Sequence, residues 1–375
     1  MTKVLIVGGT GRIGSSIARD VLAHTDANVV LTGRHRQRGH AVIHNLGQRS
    51  QFLQLDLSDL ATLREAIAAV DLVVHAAGPF HHRTTQVLQT CIQEGVNYLD
   101  VSDYRGFTHQ ALAWQDAAQA AGVTAIVNTG VFPGISNSMA RQGIEALDQA
   151  ESVQLSYIVA GSGGAGVTVM RTTFLGLQHP FDAWIESQWR SVQPYTEREK
   201  LTFSQPYGDA HVYWYDMPEA MTLPTSFDLK TVKTKFGVVP DFYNHATWLT
   251  AHGLPAAVLK HPRTVEFLSQ VSYWMTGVSD RFTGTGVAMR CDVKGQKAGE
   301  TVYYRSLFVH DSAAIAAGIG AGYIAEYLLS GQMKQPGVYP VEQILTTSQF
   351  LAAADSRHLE IPAAVLPHDD AGDDR

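Results

Sequence analysis

Three glycines near the start of the chain have the spacing of a dinucleotide-binding turn. Gly9, Gly11 and Gly14 form G-x-G-x-x-G between the apolar residues 4–7 and a helix-like segment that begins at Ser15. In that context the first glycine permits a tight turn, the second lets backbone approach a pyrophosphate, and the third lets the helix lie close to the strand. The N–H groups at the helix start then face the phosphates. A tight structural turn is the alternative.

The end of the second predicted strand, residues 28–31, indicates which nucleotide is bound. An NAD-binding fold usually places Asp or Glu near this point to hold the ribose 2′-hydroxyl. This chain has Gly33, Arg34 and Arg36 there instead. A carboxylate would repel a 2′-phosphate, whereas an arginine fork matches it. We therefore predict NADP(H) as the cofactor, and the alternative is a solvated helix start.

Residues after the third and fourth strands complete the predicted cofactor site. The small residues Ala76, Ala77 and Gly78 leave space beside a cofactor at the carboxyl end of the sheet. The predicted cofactor-binding residues are Gly8, Gly9, Thr10, Gly11, Arg12, Ile13, Gly14, Arg34, Arg36, Asp56, Leu57, Ala76, Ala77, Gly78 and Pro79.

An aspartate, a tyrosine and a histidine are the candidate catalytic residues. Asp103 and Tyr104 follow the fifth strand, where a residue faces the nicotinamide, and either could bind or protonate a substrate. His81 follows Gly78 and Pro79 and could donate or accept a hydrogen bond. A capped loop and a surface histidine are the alternatives. No lysine has a tyrosine four positions before it, which weighs against short-chain dehydrogenase chemistry and leaves imine or activated-alkene reduction.

The predicted substrate-binding residues lie in the second half of the chain. Gly163 and Gly164 belong to a glycine-rich stretch that precedes a predicted helix, 167–178, which carries Arg171. Glycine backbone at a helix start could hold a substrate carboxylate, and a mobile loop is the alternative. Arg281 lies in a predicted turn and could contact substrate, with an ion pair to Asp280 as the alternative. No metal ligand is predicted.

The order of the predicted elements indicates an α/β fold. Six short apolar strands alternate with helices as far as residue 128, which predicts a Rossmann domain with a doubly wound parallel sheet. After residue 134 the pattern becomes α+β with a mostly antiparallel sheet. Its predicted strands are 153–159, 211–215, 231–236, 286–293 and 301–310, and its predicted helices are 137–147, 181–190, 245–251 and 263–275.

These patterns divide the chain into four parts. The Rossmann domain is expected over 1–135 and an inserted α+β domain for substrate binding or dimerisation over 136–311. Residues 312–351 contain a helix of small residues, 312–329, that is expected to return to the Rossmann domain. The tail, 352–375, is expected to be disordered in part, and it ends in an acidic stretch at 368–375.

Composition excludes several classes of protein. The chain has 375 residues, a net charge of -7 and no basic cluster, which argues against a nucleic-acid partner. Two cysteines suggest a reducing compartment, and we expect no signal peptide and no transmembrane segment, so the predicted location is cytoplasmic. No spacing of Cys, His, Asp and Glu resembles a structural zinc site.

Four stretches resemble the saccharopine dehydrogenase-like (saccharopine reductase-like) family. They are 8–14, 76–80, 98–103 and 130–134. The resemblance covers residues 1 to about 140, and beyond that point it rests on domain order. It implies a Rossmann domain, usually for NADP(H), with an inserted α/β domain that has an antiparallel sheet. The better-known members of the family reduce or form C–N bonds of amino-acid-derived imines.

Together, the motifs and the resemblance predict an NADPH-dependent oxidoreductase of this type. We expect it to transfer a hydride to a C=N or activated C=C bond of a small metabolite in a cleft between the domains, and to form a homodimer. The alternative is a non-catalytic NADP(H)-binding regulatory or scaffold protein, which the lack of one strong acid–base pair favours.

Overall fold

The computed structural model describes residues 2–164 and 166–367, with side chains at all of these except positions 256, 279 and 281–283. The strands are β1 Lys3–Val7, β2 Asn28–Gly33, β3 Ser50–Gln54, β4 Leu72–His75, β5 Asn97–Asp100, β6 Thr124–Val127, β7 Gln149–Ala160, β8 Phe181–Ile185, β9 Gln188–Val192, β10 Glu199–Thr202, β11 Asp209–Trp214, β12 Thr231–Val239, β13 Gly286–Lys297, β14 Glu300–His310, β15 Gly337–Pro340 and β16 Ala363–Pro367.

The helices connect these strands. They are α1 Arg12–His24, α2 Arg36–Leu46, α3 Leu60–Ala68, α4 Gln86–Glu94, α5 Arg105–Leu112, α6 Gln115–Ala120, α7 Ile135–Glu145, α8 Val167–Gly176, α9 Glu219–Ser226, α10 Phe242–Gly253, α11 Ala256–Leu259, α12 Pro262–Thr283, α13 Ala313–Leu329, α14 Val341–Ile344 and α15 Thr347–Ser356. A 3₁₀ turn, Phe80–His82, follows β4. None of the helices within the described ranges is long and apolar enough to cross a membrane.

The chain forms two compact units. The first unit contains the residues up to Ile135 together with Ala314–Thr346. The second unit contains Ser136–Ala313 and continues from Thr347.

The first unit is built on a parallel sheet of seven strands. Their order is β15-β6-β5-β4-β1-β2-β3, with helical crossovers between sequential strands. Residues 4–7 of β1 and all of β4 are buried, as expected of strands covered on both faces. The predicted doubly wound sheet is therefore confirmed, and the sequence patterns missed only β15. That strand pairs with β6 in the register Gly337↔Thr124.

Within the first unit, helix α13 packs against α1 through its glycines. A Cβ on Gly318 would lie 2.5 Å from Cβ of Ser16 in α1, and a Cβ on Gly322 would overlap the carboxylate of Asp20. The absence of side chains at these positions lets the backbones of α13 and α1 approach closely.

The second unit contains a sheet of nine strands. Seven follow the order β10-β11-β12-β7-β13-β14-β16, while β8 pairs with β12 and with β9. The pair β12–β7 is parallel and the other pairs are antiparallel, which confirms the mostly antiparallel sheet.

The prediction of a helix over 181–190 is wrong. The chain forms the hairpin β8–β9 instead, and Phe181 and Ala183 are buried while Asp182 is exposed, a period of two. Glu186 and Ser187, with φ of 52° and 59°, make the two-residue turn. Both lie in the left-handed region that such turns require, although neither is a glycine.

One more prediction, that of a turn, needs correction. The predicted turn at 279–282 is part of α12, which ends at Thr283. Residues 352–367 of the predicted tail contain the end of α15 and the strand β16, which pairs with β14. The acidic stretch 368–375 lies outside the described residues.

Candidate cofactor and active site

The glycine turn between β1 and α1 is closely packed on three sides. Gly8 has a φ of +81°, and a Cβ on it would lie 2.8 Å from Cα of Ala77. A Cβ on Gly14 would lie 2.5 Å from the carbonyl oxygen of Gly8, and a Cβ on Gly9 would lie 2.8 Å from Cβ of Leu31. Side chains at these positions would push α1, β2 or the chain after β4 away from the turn.

Gly11 differs from the other glycines of the turn. A Cβ there would have one described atom within 4 Å outside its chain neighbours, the carbonyl oxygen of Gly8 at 3.2 Å. Gly11 is also the N-cap of α1, and no side chain caps that helix. Because the first N–H groups of a helix lack intrahelical partners, this helix start presents donors and a positive dipole end. Donors of this kind are suited to binding a pyrophosphate.

The carboxyl ends of β2, β3 and β4 lie at the same edge as the glycine turn. The backbone N–H of Leu55 donates to the carbonyl oxygen of Gly33 over 3.1 Å, and the N–H of Ala76 donates to that of Val7 over 2.8 Å. These hydrogen bonds hold the residues that follow β3 and β4 next to the ends of β2 and β1. The predicted cofactor residues after these strands, Asp56, Leu57, Ala76, Ala77, Gly78 and Pro79, therefore belong to one edge of the sheet.

Arginines stand at this edge beside a carboxylate. Arg34 and Arg36 are exposed at the end of β2 and the start of α2. Hydrogen bonds from Ser58 hold the pKa of Asp56 below its usual value, and the charges of Arg34 and Arg83 lower it further. The sequence patterns do not predict a role for Arg83. Its position in the segment after β4 is the one feature of the sequence that indicates a place near the cofactor.

His81 and Tyr104 are brought together by different loops. Their rings stack with centroids 3.9 Å apart and planes 23° apart. Tyr104 is the residue before α5, and its ring lies over Gly106, where a Cβ would be 2.7 Å from the tyrosine hydroxyl. Burial, with a smaller contribution from the charge of His82, lowers the pKa of His81 to about 4. The imidazole is therefore neutral near pH 7.

Asp103 completes the predicted catalytic set. It is partly exposed and lies between buried Ser102 and Tyr104, in the segment that joins β5 to α5. The hydroxyl of Ser102 accepts a hydrogen bond from the backbone N–H of Tyr104 over 3.3 Å, which fixes this segment. All three predicted catalytic residues thus belong to the segments that follow β4 and β5.

A buried polar network underlies these segments, and the sequence analysis missed it. The hydroxyl of Tyr98 donates to Asp100 over 3.0 Å and lies 3.2 Å from Nδ1 of His75. The other carboxylate oxygen of Asp100 accepts the backbone N–H groups of Ser102 and Asn128, at 2.9 and 3.1 Å. Asp100 therefore ties the ends of β5 and β6 together beneath the candidate catalytic residues.

Burial controls the charge of this network. It raises the pKa of Asp100 to about 6, although the bonds from Ser102, Asn128 and Tyr98 oppose the rise. It lowers the pKa of His75 to about 3, and the charge of Arg83 adds to the effect. Polar residues at the ends of buried strands were the signal that could have found these groups.

The predicted substrate residues belong to the second unit, in which Asp280 fixes the glycine loop. Its carboxylate accepts the backbone N–H and the hydroxyl of Ser162, each over 2.7 Å. Gly163 and Gly164 have φ of +61° and +67°, and the carbonyl oxygen of Gly163 accepts the N–H of Ala313 over 2.7 Å. Asp280 thus anchors the loop, which was not anticipated.

The structure describes the side chain of only one of the two arginines that were predicted to bind substrate. Arg171 makes two bonds to Glu266 of α12, at 2.6 and 2.8 Å, so a substrate carboxylate would compete with this ion pair. The side chain of Arg281 lies outside those that the structure describes. Within the described residues, no group of three His, Cys, Asp or Glu side chains could hold a metal ion.

The parallel sheet and the close-packed glycine turn form a Rossmann fold, a class in which many oxidoreductases bind a dinucleotide at this edge of the sheet. Residues 4–126 match the family model described as the saccharopine dehydrogenase NADP binding domain. The part of the chain that carries the glycine turn is therefore similar to the NADP-binding domain of this family, and its cofactor is NADP(H). These predictions from the sequence are confirmed.

Similar proteins extend beyond this N-terminal part of the chain. Carboxynorspermidine synthase of Vibrio cholerae is 24% identical over 90% of this chain and 91% of its own length. Saccharopine dehydrogenase (L-Glu forming) of Saccharomyces cerevisiae superposes with a TM-score of 0.70 at 14% identity, covering 98% of this chain and 100% of that one. An engineered D-amino acid dehydrogenase bound to NADP+ gives a TM-score of 0.51 at 15% identity, with 95% and 99% covered.

Proposed function

We propose that this oxidoreductase transfers a hydride from NADPH to the C=N bond of a small metabolite, and that an activated C=C bond is the second candidate. The observation that carries the proposal is the stacked pair His81–Tyr104 in the segments after β4 and β5, at the edge of the sheet that holds the glycine turn. Binding at this edge would bring a nicotinamide toward those segments. When bound, NADPH supplies the hydride.

The chain's own residues bind, orient and protonate in this proposal. The predicted cofactor residues hold the dinucleotide, with the backbone at Gly11 and the start of α1 facing the pyrophosphate. Tyr104 is the proposed proton donor, with Asp103 beside it. His81 is neutral near pH 7 because burial lowers its pKa to about 4, so its proposed role is to orient Tyr104 and accept or donate a hydrogen bond.

An imine is favoured over an alkene because of the family and its relatives. The resemblance implies imines derived from amino acids, and two similar proteins are named for carboxynorspermidine and saccharopine. We infer that Gly163, Gly164, Arg171 and Arg281 bind the substrate. For Arg171 this requires an exchange of Glu266 for a substrate carboxylate. The homodimer and the cytoplasmic location stay predictions.

Isotope transfer tests the proposed reaction. The purified chain is incubated with NADPH deuterated at either face of C4 and with a panel of 2-oxo acids paired with amino acids or diamines. We expect NADPH consumption with one pair, and deuterium on the carbon that had formed the C=N bond. A parallel panel of conjugated enones tests the second candidate. Deuterium on an alcohol carbon, or no consumption in any panel while NADPH still binds, would contradict both.

A further inference from the structure

Arg83 reaches the cofactor edge from a different segment than Arg34. It follows the 3₁₀ turn after β4, and its Nε–H donates to the carbonyl oxygen of Ala77 over 2.6 Å. Ala77 is itself in contact range of Gly8, since a Cβ on Gly8 would lie 2.8 Å from its Cα. The Ala77 bond uses one of five N–H donors, so the guanidinium is fixed beside the glycine turn with further donors to offer.

Two cations and one carboxylate share this place. The charges of Arg34 and Arg83 lower the pKa of Asp56. The charge of Arg34 lowers the pKa of Arg83 and that of Asp56 raises it, so all three side chains lie within electrostatic range of one another. Burial is the main factor that lowers the pKa of Arg83, and the charge of Arg34 adds to it. The group keeps a net charge of +1 after Asp56 is counted, which is an arrangement that an additional anion would stabilise.

The position of the group identifies the anion. Arg34 follows β2, Asp56 follows β3 and Arg83 follows β4, all at the carboxyl ends of parallel strands. A Rossmann fold binds its dinucleotide at these ends, with the adenosine ribose near the end of the second strand. The 2′-phosphate is the group that distinguishes NADPH from NADH, and guanidinium forks match its oxygens.

We propose that Arg34 and Arg83 bind the 2′-phosphate of NADP(H) from two sides, and that Arg83 is a determinant of cofactor choice. The bond to Ala77 holds the Arg83 side chain at the site before the cofactor arrives. Arg34 is exposed and adjusts to the phosphate, whereas Arg83 is partly buried and already placed. Preorganisation of this kind reduces the entropy lost on binding.

Calorimetry on the full chain tests the proposal without turnover. Dissociation constants for NADP+ and NAD+ are measured for the parent, Arg83→Met and Arg34→Met. Arg38→Met is the matched control, because Arg38 is an exposed arginine on α2 to which no role is given. We expect each of the first two variants to lose about tenfold or more in NADP+ affinity and to change little for NAD+, since each removes charge-assisted bonds to the phosphate. The control should bind both nucleotides like the parent.

Two further measurements distinguish a role of Arg83 in phosphate binding from a role in holding the segment after β4 in place. The NADP+ affinity of the parent should fall more steeply with salt than its NAD+ affinity, and Arg83→Met should narrow that difference. Arg83→Lys keeps a charge but loses the fork, so it should recover part of the preference for NADP+. If Arg83→Met weakened both nucleotides equally, Arg83 would only brace the segment after β4 or contact the adenine, and the proposal would be overturned. Unchanged affinity for both would overturn it as well.

Discussion

The imidazole of His81 lies on the ring of Tyr104, with centroids 3.9 Å apart and an interplanar angle of 23°. Two strands must carry their following segments to the same point for this contact to form, β4 through the 3₁₀ turn and β5 through the residues before α5. The stack restricts the tyrosine ring, so its hydroxyl has a defined place over Gly106. A fixed hydroxyl near the cofactor edge is what a proton donor requires.

Replacement of Tyr104 by phenylalanine tests that role. The variant keeps the ring stack and removes the hydroxyl, so kcat should fall by about 100-fold while NADPH affinity stays unchanged. Steady-state kinetics on the substrate identified by isotope transfer, together with calorimetry of NADPH, measure the two effects. Tyr98→Phe is the matched control, because that buried hydroxyl bonds to Asp100 and its loss should lower stability more than turnover. Undiminished kcat in Tyr104→Phe would remove the tyrosine from the mechanism.

The pH dependence of stability should contain a contribution from His81. Its pKa falls from 6.5 to about 4 in the folded chain, chiefly because it is buried. Between these values the unfolded chain binds the proton and the folded chain does not, so the free energy of unfolding rises with pH. The contribution of His81 to the free energy of unfolding is therefore fully present above pH 6.5. It is lost as the pH falls toward about 4, and its upper limit is about 3 kcal/mol.

Urea unfolding of the parent and His81→Phe at several pH values isolates this contribution. Phenylalanine preserves the stack and cannot titrate. We expect the difference in unfolding free energy between the two chains to shift in favour of the variant as the pH falls below 6.5. A difference that stays constant with pH would mean that His81 is not shielded from solvent as the structure shows.

Two glycines of the opening turn should respond differently to the same substitution. A methyl group on Gly11 would lie 3.2 Å from the Gly8 carbonyl oxygen, a contact that a small backbone shift relieves, so Gly11→Ala should lose NADPH binding with little change in its melting temperature. A methyl group on Gly14 would lie 2.5 Å from the Gly8 carbonyl oxygen, so Gly14→Ala should melt at a lower temperature. Calorimetry and thermal melts decide both. Parent-like NADPH affinity in Gly11→Ala would place the pyrophosphate elsewhere.

Local patterns accounted for most of the first unit. A buried parallel strand needs a short apolar run, and the turn after β1 needs residues without Cβ, so both are visible in sequence. The missed strand β15 is four residues long, ends in Pro340 and pairs with a strand more than two hundred positions earlier. Only the tertiary path of the chain reveals that pairing.

The errors in the second unit and in the site have the same origin. The β8–β9 hairpin turns at Glu186 and Ser187, which carry no glycine or asparagine signal. Likewise, the position of Arg83 near the glycine turn depends on how the segment after β4 folds back so that Arg83 donates to the carbonyl oxygen of Ala77. Where backbone geometry requires a particular residue type, the sequence predicts the structure. Where two side chains from separate segments become neighbours, the sequence alone does not predict the contact.

The glycines of α13 should be sensitive to added volume. Gly318→Leu would place a side chain where even a Cβ lies 2.5 Å from Cβ of Ser16, and Gly322→Leu would collide with Asp20. Overpacking of this kind should cost about 1–3 kcal/mol, because α1 and α13 would have to separate. Ile315→Leu is the matched control, since Ile315 is 44% exposed on the same helix and the change conserves volume. Chemical denaturation measures all three, and leucine variants as stable as the control would show that α13 does not depend on this close contact.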